Sequence, residues 1–186
     1  TALGFEALVG VYKPDPKVQD RDGKEKGDPY SPFVSIGHDF EFLSFPTFSP
    51  RLMYIRNQVN SDDHYSNDYK IETFAFLYDF LWKPQSWYET HIRYGFGSFN
   101  QKITGSGGTV SVPNGNSTST AYKPDGESKS ATGSLNFGIE YKTMTSGEYL
   151  TSYGVTAEIF YMSPLVQWGL SKNAYFAYSL GLVGWF

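Results

Sequence analysis

The sequence lacks several features that would assign it to a familiar class of protein. Its 186 residues include no cysteine, so disulfides say nothing about the redox compartment. No apolar run approaches the ~18 residues that a membrane-spanning helix needs, and no cluster of lysine and arginine offers itself to a nucleic acid. The opening residues TALGFEAL have neither the basic nor the apolar stretch of a signal peptide. If the protein is exported, we therefore expect this chain to be the mature form.

What the sequence does contain is an unusual number of aromatic residues and glycines. Fifteen tyrosines, fifteen phenylalanines, four tryptophans and nineteen glycines occur in a chain of net charge -4. The mean hydropathy is nevertheless negative, at -0.39. Such a composition is typical of strands that each present one apolar and one polar surface. The length suits a single domain, residues 1–186.

Eight segments alternate apolar and polar residues with the two-residue period of a β-strand. Each has roughly 9 to 14 residues, which is enough to cross a bilayer as a tilted strand. No segment has a convincing helical period. The predicted strands cover residues 3–12, 32–43, 48–58, 69–82, 87–100, 130–142, 150–162 and 174–186.

The connections between these strands alternate between long and short. Residues 13–31 and 101–129 are long and polar, whereas SFPT, KPQS and MTSGE are short. Outer-membrane barrels have long extracellular loops and short periplasmic turns. The sequence therefore predicts an all-β fold, an eight-stranded antiparallel up-and-down transmembrane β-barrel with both termini periplasmic. Within 101–129, the Asn-Gly of VSVPNGNSTSTAY predicts a protruding hairpin rather than a linker.

One face of the predicted strands is large and apolar, and the other is small or charged. In strand five, Tyr94 and Phe96 alternate with Arg93 and Gly95. The interior of an eight-stranded barrel is only just wide enough for its side chains. A soluble barrel would need the bulky face inside, but these strands carry too many aromatics to fit there. We therefore expect the aromatic face to contact lipid.

This orientation leads to three further expectations. Aromatic residues near the short turns predict a girdle where the barrel meets the periplasmic interface of the membrane. Arg51 is placed inside, where carboxylates await it. His38 would face lipid at some cost, unless a β-bulge or a contact between protomers intervenes. The girdle consists of Phe42, Phe45, Phe48, Phe80, Trp82, Trp87, Tyr141, Tyr149 and Phe186.

The polar face places a set of charged residues in the lumen. The simpler interpretation is a salt-bridge network that plugs a narrow barrel, since buried charges need partners. Acids outnumber bases in the set, so some carboxylates are expected to be protonated, hydrated or bound to a cation. The alternative is a path for cations or protons. The set is Glu6, Asp39, Glu41, Arg51, Asp79, Glu89, His91, Arg93, Glu140 and Glu158.

Small residues dominate the lumen toward the long connections. They predict a cup open to the outside above a charged floor, unless Tyr12, Tyr175 or the long connections fold in and fill it. The small residues are Gly10, Ser35, Gly37, Gly95, Gly97, Ser134, Ala177 and Ser179.

Both ends of the sequence resemble known outer-membrane barrels. The segment AYFAYSLGLVGWF resembles the C-terminal strand read by the barrel-assembly machinery, with Phe176, Tyr178, Leu180, Leu182 and Phe186 at the alternate positions. Gly184 departs from that pattern. The opening GFEALVGVYKPD resembles the first strand of an uncharacterised family of barrels from predatory and gliding deltaproteobacteria. The resemblance implies the fold and a location in the bacterial outer membrane, with its lipid and the assembly machinery as partners.

No motif points to an enzyme. The sequence has no nucleophile elbow, phosphate loop or zinc spacing, and we expect no catalytic residues, metal or cofactor. Asp62-Asp63-His64 and Asp20-Arg21-Asp22-Gly23 are interpreted as solvated loops rather than as metal or acid–base sites. The leading hypothesis is a non-enzymatic barrel with a largely plugged, charged lumen that either stabilises the outer membrane or displays its loops to an extracellular partner. The alternative is a narrow, porin-like channel for small solutes or hydrophobic molecules.

Overall fold

Every regular element that the computed structural model describes is a β-strand, as the alternation predicted. No helix in the described part of the chain is long and apolar enough to cross a membrane. The described residues are 4–14, 30–40, 46–59, 69–82, 90–114, 117–122, 125–144, 149–150, 152–164 and 174–186.

Ten strands are present in these ranges. Eight of them build a barrel, and the other two, β6 and β7, form a separate sheet. The strands are β1 Phe5–Pro14, β2 Ser31–His38, β3 Thr47–Val59, β4 Tyr69–Trp82, β5 Thr90–Ser106, β6 Thr109–Asn114, β7 Ser117–Tyr122, β8 Asp125–Met144, β9 Ser152–Pro164 and β10 Tyr175–Trp185.

The barrel is closed and antiparallel, with the strand order β1-β10-β9-β8-β5-β4-β3-β2. Its ladders are staggered around the ring. The row of paired residues that starts at Glu6 passes through Ser134 and reaches β10 at Tyr175, whereas Glu6 itself pairs with Trp185. This stagger is the shear that tilted strands need in order to close a barrel.

The wall of the barrel is taller on one side. β5 and β8 stay paired up to Ser106 and Asp125, well past the predicted ends of these strands. Beyond them, β6 pairs with β7 from Thr109–Tyr122 to Asn114–Ser117. This is the hairpin that the Asn-Gly sequence predicted.

Alternate residues of the barrel strands face opposite sides, because successive side chains of a strand do so. On the inner side, Met53 and Arg93 are fully buried. On the outer side, Ile36 and Leu182 are each 62% exposed and Leu135 is 60% exposed. An apolar surface of this extent is not tolerated in water. The barrel therefore has the surface of a membrane-spanning protein, and the soluble alternative with its bulky face inside is wrong.

The second strand is shorter than the predicted range 32–43. It ends at His38, although the N–H of Asp39 still donates to the carbonyl of Gly4 at 2.7 Å and Phe40 forms an isolated bridge with Phe48. The ladder between β1 and β2 runs to His38 without a bulge. His38 lies on the outer side at the strand end, with its ring 4.7 Å from that of Phe5 and 4.4 Å from that of Phe40. His38 is therefore accommodated by its aromatic neighbours and by its position at the strand end, and not by the β-bulge that the sequence offered as one explanation.

Aromatic rings line the outer surface near the short turns. Phe48 contacts Phe80 with ring centroids 5.5 Å apart, and Phe80 stacks on Tyr94 at 5.8 Å. Trp82, Tyr141, Tyr149 and Phe186 are exposed. These residues form the described part of the predicted girdle. Phe42, Phe45 and Trp87 lie outside the described residues.

Candidate functional site

Two arginines on facing strands organise the lumen near the short-turn end. Arg51 points inward from β3 and donates from Nε to Asp79 at 2.5 Å. Its two terminal nitrogens donate to both oxygens of Glu158, at 3.0 and 2.6 Å. This two-point contact uses the planar fork of the guanidinium group, which matches a carboxylate.

Arg93 makes the corresponding contacts from β5. It binds Glu6 through Nη2 at 2.6 Å, Asp79 through Nη1 at 3.2 Å, and Glu140 through Nε. One oxygen of Asp79 thus accepts from both arginines, while its other oxygen accepts from Asn136 at 2.8 Å. The carboxylate of Asp79 therefore links the two arginine clusters into one network.

The network, called the charged layer, consists of Glu6, Arg51, Asp79, Arg93, Glu140 and Glu158, all with fully buried side chains. It contains more carboxylates than guanidinium groups. Oε1 of Glu6 and Oε2 of Glu140 have no hydrogen-bond partner within the described residues. Buried charges of this kind hold their geometry only with good partners, so the layer is a rigid cross-brace with a surplus of acid.

The charged layer accounts for six of the ten lumen residues named from the sequence. His91 is buried in the lumen, and its ring lies 6.3 Å from that of Trp185. Asp39 follows the last residue of β2, and its N–H donates to the carbonyl of Gly4. Glu41 and Glu89 fall outside the described residues, as do Asp62, Asp63 and His64. No group of acids and histidines in the described ranges could hold a metal ion.

An aromatic cluster fills the lumen toward the hairpin, so the predicted open cup is wrong. Tyr12 stacks on Phe99 at 6.0 Å, and Phe160 contacts both rings, at 6.0 Å from Tyr12 and 5.5 Å from Phe99. All three side chains are buried, and Tyr175 packs against their cluster. We call Tyr12, Phe99 and Phe160 the aromatic layer. Tyr12 and Tyr175 are two of the residues that the sequence indicated could fill the cup.

The small residues assigned to the cup make room for the larger ones. A Cβ on Gly37 would lie 2.8 Å from Cγ of Arg51 and 2.8 Å from Oε1 of Glu6. A Cβ on Gly95 would lie 2.6 Å from Oδ1 of Asp79. These glycines therefore admit the charged side chains of neighbouring strands. The remaining members of the set also lie on the lumen side, namely Gly10, Ser35, Gly97, Ser134, Ala177 and Ser179.

Some contacts of the site were not predicted. Asn136, Ser49 and Ser179 all donate to or accept from the charged layer. Trp185 is buried in the lumen, where Nζ of Lys142 lies 4.6 Å from its ring centroid. The parity of each strand indicated which residues face inward. The contacts themselves depend on the stagger between strands, which the sequence does not state.

The proposed assembly signal lies on the outer face of β10. Tyr178, Leu180, Leu182 and Phe186 are all exposed there. The backbone N–H of Phe186 donates to the carbonyl of Phe5 at 2.9 Å, so both ends of the described barrel meet at the short-turn end. Recognition of this strand by the assembly machinery stays a prediction.

Comparisons with known proteins support the fold. No model of a protein family matches the sequence, and no curated protein sequence matches it. Two solved structures share the architecture over nearly the whole chain. The attachment invasion locus protein Ail of Yersinia pestis, solved with the heparin analogue sucrose octasulfate, has a TM-score of 0.56 at 10% identity and covers 98% of this chain and 97% of its own. Neisserial surface protein A has a TM-score of 0.52 at 18% identity, covering 100% and 99%. The chain therefore has the eight-stranded fold of small outer-membrane barrels.

Proposed function

We propose that this chain is a non-enzymatic protein of the bacterial outer membrane that displays its projecting strands and loops at the cell surface. The proposal rests on the contrast between the interior of the barrel, which is occupied by side chains, and its wall, which continues beyond the barrel as a hairpin. The lumen is filled by the charged layer and the aromatic layer. The wall, however, continues through β5 and β8 to the β6–β7 hairpin.

A filled lumen is suited to holding a projection at a fixed place. The fully buried contacts of Arg51 and Arg93 tie β3 and β5 to β1, β4, β8 and β9. Strand extensions that closure of the barrel does not need are a common place for function, because loops on a rigid scaffold often carry binding residues. The names of Ail and Neisserial surface protein A describe proteins of attachment and of the surface.

Three partners follow from this role. Lipid surrounds the outer face of the barrel, and the barrel-assembly machinery reads β10 during insertion. An extracellular partner is contacted through the hairpin and the long connections.

A narrow channel is the second candidate function. The observation that favours it is the surplus of carboxylates in the charged layer, where one oxygen each of Glu6 and Glu140 accepts no hydrogen bond from the described residues. Such a surplus attracts cations or protons. Electrical conductance separates this candidate from the first.

Surface display is tested by placing a short epitope tag between Asn114 and Ser117, at the turn of the hairpin. The tag should be labelled by antibody on intact cells, because the hairpin projects from the end opposite the short turns. The matched control carries the same tag between Met144 and Tyr149, in the short connection from β8 to β9. That control should be labelled only after the outer membrane is permeabilised.

Labelling of the hairpin tag only after permeabilisation would contradict the proposal. A second variant lacks residues 107–124 and joins β5 to β8 by a short turn. We expect its barrel to fold and to keep its heat-dependent gel mobility, since the eight barrel strands remain paired without β6 and β7. Loss of folding would show that the hairpin belongs to the scaffold and is not a displayed element.

A further inference from the structure

On β3 and β4, the outer face changes from apolar to charged between one outward-facing row of paired residues and the next. In one row, Tyr54 pairs with Phe74, which is 49% exposed. In the next outward-facing row toward the hairpin, Arg56 of β3 lies opposite Glu72 of β4, and Glu72 lies opposite Lys102 of β5. The same row continues to Lys129 on β8. On β5 and β8, the row of Tyr54 and Phe74 continues with Asn100 and Ala131, so the direct change from apolar to charged lies on β3 and β4 and the charged row extends from there to the other two strands.

Tyr54 marks the boundary between the two surfaces. Its ring packs against that of Phe74 with centroids 4.9 Å apart, and its hydroxyl donates to Oε1 of Glu72 at 2.9 Å. Tyrosines with an apolar body and a wet hydroxyl are enriched where hydrocarbon meets headgroups. The residues beyond Tyr54 thus lie at the level of the lipid headgroups.

Those residues form a belt that carries more basic than acidic side chains. The acids are held by lysines: Glu72 pairs with Lys70 at 2.9 Å, and Glu127 pairs with Lys102 at 2.7 Å and Lys129 at 3.1 Å. The ammonium-bearing side chains stay 43% to 76% exposed. The outer charged belt consists of Arg56, Lys70, Glu72, Lys102, Glu127 and Lys129.

The arrangement of Lys102 and Lys129 is unfavourable without an anion. They are directly opposite each other on β5 and β8, and like charges in that position destabilise a sheet. Glu127 bridges the two lysines, and Glu72 lies opposite Lys102 on β4 but also forms an ion pair with Lys70. The chain as a whole is acidic, with a net charge of -4, so this local excess of basic groups stands out.

We propose that the outer charged belt binds the anionic phosphate headgroups of lipids in the leaflet on the hairpin side. The apolar rows below the belt contact the acyl chains, and Lys102, Lys129 and Arg56 contact the phosphates. Basic residues next to a membrane surface attract anionic lipids in this way. A lipid occupant is favoured over a soluble polyanion because one end of the belt, Arg56 and Glu72, follows directly on the lipid-facing pair Tyr54 and Phe74, and Lys102 and Lys129 lie in the same row as that end.

The test is a lipid titration of the folded barrel in neutral detergent, read by native mass spectrometry. The probes are phosphatidylglycerol and phosphatidylcholine with identical acyl chains. We expect tighter binding of phosphatidylglycerol to the unmodified chain. K102Q/K129Q should bind it about 25-fold more weakly, at about fivefold per lysine. The matched control K102R/K129R keeps both charges and should bind like the unmodified chain.

Glu127→Gln gives an effect in the opposite direction. It releases both lysines from their shared acid, so binding of phosphatidylglycerol should become about fivefold tighter. A misfolded variant would not gain affinity. Lys13→Gln removes a charge from β1, away from the belt, and should leave the affinity unchanged.

Three results would overturn the proposal. One is equal binding of the two lipids, and another is unchanged affinity in K102Q/K129Q when its gel mobility shows a folded barrel. The third is binding of a soluble sulfated oligosaccharide by the same lysines without any preference for phosphatidylglycerol. The hairpin labelling experiment is independent, since it reports exposure of residues 114–117 and not the lipid at the barrel wall.

Discussion

At the scale of single residues, the lumen shows what sequence parity can and cannot predict. The alternation of strand five places Arg93 inside, the carboxylates expected in the lumen place Arg51 there, and both side chains are buried. The sequence could not tell that Asp79 joins them, since that contact depends on the stagger of β3, β4 and β5. It also could not tell that Gly37 and Gly95 are small in order to admit these charges.

Replacing Arg93 should be one of the most damaging single changes. Arg93→Met leaves Glu6 and Glu140 buried without their guanidinium partner, which should lower the free energy of unfolding by about 3–5 kcal/mol. Arg93→Lys should lose less, because it keeps the charge but lacks the planar fork that reaches several acids. Urea-induced unfolding of the barrel in lipid vesicles, followed by tryptophan fluorescence, measures the difference.

The cause of that loss can be tested within the same layer. If uncompensated charge is responsible, adding Glu6→Gln and Glu140→Gln to Arg93→Met should restore part of the stability. Further destabilisation by the added changes would indicate that packing around Arg93, and not charge, is what matters.

At the scale of strands, predictions succeeded where the two faces differ in character. β5, β8 and β9 alternate clearly, and their inward and outward residues agree with the sequence. β3 was harder, because Met53 and Ile55 face inward while Leu52 faces outward, so both of its faces carry apolar residues; on β4, Leu77 and Leu81 face inward as well. The apolar inner residues of β4 also explain why the sequence suggested a more polar lumen than the structure has. The predicted range of β2 ran past His38, where the described strand ends.

The close approach of β8 and β9 depends on one glycine. A Cβ at Gly154 would lie within 2 Å of the carbonyl oxygen of Tyr141, so Gly154→Val must separate the two strands. We expect a loss of about 1–3 kcal/mol in the free energy of unfolding, as for other overpacked sites. Urea-induced unfolding in vesicles gives the value.

Thr156→Val is the matched control on the same side of β9. Its hydroxyl is buried and has no hydrogen-bond partner among the described residues. Removing an unpaired buried hydroxyl should raise the stability by about 1 kcal/mol. Equal losses in Gly154→Val and Thr156→Val would show that β9 tolerates no enlargement or change of any kind, and would remove the specific role of Gly154.

At the scale of the whole molecule, the lumen is filled at two levels by different chemistry. The charged layer lies toward the short turns, and the aromatic layer of Tyr12, Phe99 and Phe160 lies toward the hairpin. The sequence predicted the first level, because charges on the inner face are visible in the alternation. At the second level it predicted small residues and missed the aromatic cluster, because the three aromatic residues come from strands that are distant in the chain.

Two levels of filling make a specific electrical prediction. The unmodified barrel should give no steady current in a planar bilayer, because ions would have to cross both layers. The triple variant Tyr12→Ala, Phe99→Ala and Phe160→Ala opens only the aromatic layer, so it too should stay closed while the ion pairs of Arg51 and Arg93 hold. Bilayers exposed to detergent alone provide the baseline.

A steady current through the unmodified barrel would favour the channel, since it would require a path past the carboxylates of Glu6 and Glu140. A current that appears only in the triple variant would instead show that the aromatic layer is the barrier and that the charged layer conducts.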